Sequence, residues 1–176
     1  MNVIKAINSK RAVRQFSDVQ LSEEHKLAIL HAGRKSQSSK NMQAWNFIAI
    51  EDKKTLDALS KLGHFAGHIS GAAFAVAIIT PPPEQRFSIM FDAGQAAAYM
   101  QLAAHDLGIG SCLATIYEPE AARDLLGFPP ELEIRIAISF GYPHADITES
   151  RPPRKKGRRP LDEVVHWERW SSQAEQ

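Results

Sequence analysis

A chain of 176 residues is of single-domain size, long enough to bury a full core and too short for two comfortable domains. With 44% hydrophobic and 23% charged residues it is neither disordered nor fibrous, and its one cysteine, Cys112, rules out an intrachain disulfide scaffold. Lys and Arg number 21 against 20 Asp and Glu, a net charge of +1 that argues against a nucleic-acid binder relying on bulk charge.

That average hides Arg151, Arg154, Lys155, Lys156, Arg158 and Arg159, six cations in nine residues without an acid. Such a run is an anion-binding candidate whose ligand the charge alone does not identify. No apolar run approaches the roughly 18 residues of a membrane span, and residues 1–14 lack the apolar stretch and cleavage site of a signal peptide. The expectation is a soluble, cytoplasmic protein with one domain over residues 1–176, of which 151–176 form a C-terminal arm.

In chain order, residues 3–9 predict a short helix with Val3, Ile4 and Ile7 on one face. Ser22 is a good N-cap for the next helix, with Glu23 and Glu24 in the first turn, where the helix dipole favours acids. Residues 47–50 read as a strand and 53–62 as a helix, with Leu56, Leu59 and Leu62 recurring and Gly63 as its stop. Residues 73–80 form a continuous apolar strand closed by Pro81, Pro82 and Pro83. The longest helix is expected over 85–107, and its Ala93, Gly94, Ala96, Ala97 and Ala98 suit close approach of another helix, at the centre of the fold or at an interface. A strand over 111–116 and a helix over 119–126 follow. Leu132, Ile134, Ile136, Ile138 and Phe140 then alternate with other residues, the period of a strand with one buried face. The fold class is α+β.

The standard signatures fail. Gly108, Gly110 and Leu113 begin like a dinucleotide-binding turn, but the last position is not glycine and the turn follows a helix instead of a strand. His64 and His68 have metal-ligand spacing, yet Phe65 stands where a zinc protease needs glutamate, so both are read as surface or loop histidines. Cys112, in an apolar strand, is expected to be buried and not catalytic.

Two short clusters remain. Lys10, Arg11 and Arg14 could grip a phosphate, and Ser38, Ser39, Asn41 and Gln43 offer donors and acceptors suited to a polar heterocycle and a polyol chain. Taken singly, each is an ordinary solvated helix face or polar loop. Taken in order, "KRAVRQF", "SSKNMQAWNF", an Ala-rich helix opening with Asp92 and ending "LGIGS", "SFGYP" and "KKGRRPLDEVVHWERW" resemble the nitroreductase family of flavin-dependent oxidoreductases, over about the whole chain.

The resemblance implies a mostly antiparallel sheet of about four to five strands flanked by helices, with the C-terminal arm exchanged in a homodimer. It implies FMN, its phosphate surrounded by Lys10, Arg11 and Arg14 together with Lys156 and Arg158 of the arm, with Ala12 at a flavin-contacting position. Ser38, Ser39, Asn41 and Gln43 would contact the ribityl chain and ring from the second subunit, and Leu113, Ala114 and Thr115 would pass the ring. It further implies NADH or NADPH as co-substrate and a small oxidised acceptor (a nitroaromatic, quinone or enone), reduced in a ping-pong cycle, with no nucleic acid and no membrane as partner. Lys10, Ala12, Gln37 and Ala44 depart from the family's arginine, serine and two prolines; a lost hydroxyl costs about 0.5–1.5 kcal/mol of binding. The chain is also short around residues 80–85, where larger members carry extra helices, which implies a more open site. The competing expectations are an anion- or nucleic-acid-binding module using residues 151–159, and a flavin-binding protein without turnover.

Overall fold

The computed structural model describes residues 2–144 and 157–170. Strands β1 (Asn46–Ile50), β2 (Phe74–Thr80), β3 (Gly110–Thr115) and β4 (Glu133–Gly141) form one antiparallel sheet in the order β1-β2-β4-β3. This matches the expected α+β class and falls within the four to five strands expected. All seven residues of β2 are buried because the strand is central and both faces of the sheet are covered, which is why its sequence is a continuous apolar run.

Among the described residues, five α-helices flank the sheet. Helices α1 (Val3–Ser9), α2 (Glu23–Arg34) and α3 (Lys53–Ser60) each start at a side-chain cap: Asn2 accepts from the Lys5 amide, Ser22 from that of His25 and Asp52 from that of Thr55. Helix α4 (Ser88–Asp106) is shorter than the 85–107 expected. Pro83–Gln85 form a separate turn, and Arg86 is extended at φ −164°, so the helix can only begin after it. Helix α5 (Pro119–Leu126) ends at Gly127, whose φ of +70° is the left-handed conformation that glycine adopts without strain.

On one face of the sheet, Ile29 of α2 and Ala93, Ala97 and Met100 of α4 pack with Phe74, Val76, Ile138 and Phe140. On the other, Leu56 and Leu59 of α3 and Ala122 of α5 pack with Ala75, Ala77, Ile79, Ile134 and Ala137. The simple alternation expected through residues 132–140 is interrupted. A bulge pairs Ile78 with Ile136 but Ile79 with Ile134, so Ile134 joins the second core while Ile138 and Phe140 face α4. One extra residue in a strand shifts the phase of every side chain beyond it.

Candidate functional site

The N-terminal segment after α1 runs along the outer edge of β3. Ala12 bridges Ser111 in parallel, the Val13 amide donates to the Ser111 carbonyl at 3.0 Å, and Phe16 bridges Pro143. Glycines make this docking possible: a Cβ on Gly110 would lie 2.7 Å from Val13 Cβ, and one on Gly141 would lie 2.8 Å from the Phe16 ring. The docking pairs Ala12 and Val13 with Ser111 and so brings Lys10, Arg11, Ala12 and Arg14 to the sheet edge that also carries Leu113 and Thr115. Leu113 and Thr115 are exposed there, whereas Ala114 points into the second core and offers only its main chain. Arg11 donates to the Asn8 and Lys10 carbonyls at 2.7 and 2.8 Å, which satisfies the C-terminal end of α1 and orients the guanidinium.

The Ser38–Gln43 loop is built differently. Lys40, Asn41 and Gln43 all have positive φ, near 50°, a conformation that costs roughly 1–2 kcal/mol for a residue with a side chain. Ser38 Oγ accepts the Gln43 amide at 3.0 Å, and Gln43 Nε2 donates to Asn41 Oδ1 at 3.2 Å, so the loop's polar groups are arranged against one another. The buried carboxylate of Asp92 accepts the Ser39 amide at 3.1 Å, and Arg86 donates to Ser39 Oγ at 2.8 Å and also contacts Met42 Sδ. Asp92 was visible in the sequence only as a feature of the family-like helix, with no role attached, and Arg86 was not singled out.

These two half-sites lie at opposite ends of α4. The loop is tied to Asp92, in the N-terminal part of the helix, whereas Ser9, next to the cation segment, hydrogen-bonds His105 Nε2 at 2.7 Å in its last turn. Asp92 and His105 are separated by about 20 Å along the helix axis at 1.5 Å per residue. The sheet separates the half-sites as well, because β1, which follows the loop, and β3 are its opposite edges. Within one chain, therefore, the cations and the polar loop do not meet.

The Nitroreductase family pattern matches residues 7–64 and 61–142. The chain belongs to this family. A protein of Archaeoglobus fulgidus, provisionally named NADH dehydrogenase/NAD(P)H nitroreductase, is 32% identical over 147 residues, 80% of this chain and 84% of its own. The NADPH-flavin oxidoreductase of Vibrio harveyi is 25% identical over 94% of this chain and 73% of its own. Among solved structures, an FMN-dependent nitroreductase of Clostridium difficile superposes with a TM-score of 0.81 at 28% identity, covering 96% of this chain and 100% of that one.

In this nitroreductase-family chain, His64 and His68 do not act as a pair. His64 packs edge-on against Tyr117 at 4.7 Å, whereas His68 is buried behind β3 and meets Ser139 Oγ through Nδ1 at 2.8 Å. Of the expected surface or loop histidines, His64 is exposed, whereas His68 lies in a short turn between elements but is buried, so its surface placement is corrected. Cys112 is buried, as expected. Burial lowers the pKa of Lys10, with the charge of Cys112 working the other way. Arg158 is exposed on the arm, Arg159 is engaged by Glu163 at 3.1 Å, and Lys156 lies outside the described residues, as does most of the basic run.

His68 makes stability pH-dependent. Burial, and secondarily the charge of Arg14, lowers its pKa below the ordinary 6.5, against a smaller upward pull from the Leu113 backbone. The folded state then binds fewer protons than the unfolded chain in the window just below pH 6.5, so this contribution is intact above that pH and is lost on acidification. A His68→Gln variant, which keeps a hydrogen-bonding side chain without the titration, should lose less of its Tm than wild type between pH 7.5 and 5.5. Parallel Tm curves for the two proteins would show that His68 is not the group responsible.

Proposed function

We propose that this chain is an FMN-dependent NAD(P)H oxidoreductase, a cytoplasmic homodimer whose two active sites are each shared between subunits. The separation of the half-sites by about 20 Å along α4 carries the reading. A second copy related by a two-fold axis near the middle of α4 would set the N-terminal end of one helix beside the C-terminal end of the other. Each cation edge would then face a polar loop from the partner. The exposed side of α4 between the two ends carries Gly94 and Ala98, small residues that permit close crossing of two helices, with Phe87, Phe91 and the exposed Val3, Ile4 and Ile7 of α1 as further apolar surface.

The residues suit FMN. Lys10, Arg11 and Arg14, with Lys156 and Arg158 of the arm, would hold the phosphate, the guanidinium groups through charge-assisted forks. The Ala12 main chain and that of Leu113, Ala114 and Thr115 would border the cofactor, and the partner's loop would supply Ser38, Ser39, Asn41 and Gln43 to the ribityl chain and ring. FMN, when bound, supplies the hydride relay between NAD(P)H and a small oxidised acceptor such as a nitroaromatic, quinone or enone. The chain's own contribution is to hold the phosphate by charge, fix the ring against β3, and leave one cleft that donor and acceptor occupy in turn, as ping-pong turnover requires.

Purified protein should be yellow, release FMN and not FAD on denaturation, run as a dimer, and oxidise NADH or NADPH with a quinone or nitroaromatic present. Colourless protein that takes up no added FMN would sink the proposal. Bound FMN with no NAD(P)H oxidation would leave a flavin carrier in its place.

A further inference from the structure

We infer that Asp92 is a positioning residue: from inside the protomer, its carboxylate sets the conformation of the Ser38–Gln43 loop and through it the affinity and ring environment of the flavin. The inference rests on the proposed function above and adds to it a residue that need not touch the cofactor. Asp92 is only 5% exposed, on a helix whose other inward residues are Ile, Ala and Met, where an unneeded acid would be costly. Both of its oxygens lie 3.1 Å from one donor, the Ser39 amide. That amide opens the turn in which Lys40, Asn41 and Gln43 are left-handed.

A loop with three such residues has relaxed alternatives, and a buried charged acceptor at its entrance selects against them. The selection is reinforced by Arg86, whose guanidinium reaches Ser39 Oγ from the turn preceding the same helix. Asn41 and Gln43 project from the part of the loop held in this way, so the placement of the groups offered to a ligand depends on the Ser39 anchor.

The test is flavin titration of full-length Asp92→Ala and Asp92→Asn proteins, with Tm and hydrogen exchange of the 38–43 peptides measured alongside. Asn keeps one oxygen acceptor for the Ser39 amide and Ala keeps none. We expect FMN affinity to fall roughly 30-fold in Asp92→Ala and only about threefold to tenfold in Asp92→Asn, following the loss of the charge-assisted acceptor. The visible absorption band of bound flavin should shift in the same order, and exchange in residues 38–43 should accelerate in that order too. If Asp92 serves only stability, Tm will fall while flavin affinity stays within twofold of wild type and the band is unmoved, and the inference is overturned. Should Asp92→Ala not fold, Asp92→Asn with wild-type affinity and spectrum overturns it equally. If the wild-type protein takes up no FMN, the cofactor reading fails first; unchanged 38–43 exchange in the variants would then reject the anchor separately.

Discussion

Replacing Gly94 with tryptophan should give a folded monomer that no longer retains FMN. Gly94 lies on the exposed side of α4, and a Cβ built there meets nothing within 4 Å, so the protomer itself has room for the ring. Replacing a mid-helix glycine by tryptophan also raises helix propensity by about 0.5 kcal/mol, which works against any loss of protomer stability. In the proposed dimer, the cost falls on the assembly. Two helices crossing near Gly94 and Ala98 cannot approach closely around an indole, and without that approach the cation edge of one subunit and the Ser38–Gln43 loop of the other stay apart. Sedimentation should show a dimer constant weakened at least a hundredfold, with flavin lost in parallel. A Gly94→Trp protein that remains a yellow dimer would place the interface elsewhere and remove the shared-site argument.

Replacing both Arg11 and Arg14 with alanine should strip FMN while leaving the dimer intact. Each charge-assisted hydrogen bond to a phosphate contributes on the order of 1.5–3 kcal/mol, so losing two weakens binding by roughly a hundredfold or more. The double variant should also melt slightly lower, because Arg11 satisfies the Asn8 and Lys10 carbonyls at the end of α1. Its size, measured by scattering, should not change. Riboflavin distinguishes the mechanism: without a phosphate to lose, its affinity should be nearly the same for wild-type and double-variant protein. Flavin content equal to wild type would show that the phosphate is held elsewhere.

Much of the local structure was legible because it depends on neighbours in sequence. The cap at Ser22 and the boundaries of α1 and α5 follow from backbone rules that act within a few residues. The apolar run of β2 announced a strand covered on both faces. Where the readings missed, the deciding influence came from farther away. The bulge between Ile78 and Ile79 depends on pairing with a strand more than fifty residues on, and His68 is buried only because its turn folds beneath Ser139. Asp92 was visible as a feature of the family-like helix, but nothing in its neighbours announces that Ser39, in a distant loop, donates to it.

Periodicity, capping and ordered motifs need no third dimension, and they were enough for the α+β class, most elements and the two chemically distinct clusters. That those clusters sit at opposite ends of α4 came from long-range packing, since β1 and β3 take opposite edges of the sheet and a continuous helix lies between them. Distance along a chain says nothing of distance across a sheet, and clusters anchored about 20 Å apart along one helix do not converge on one small ligand within a protomer.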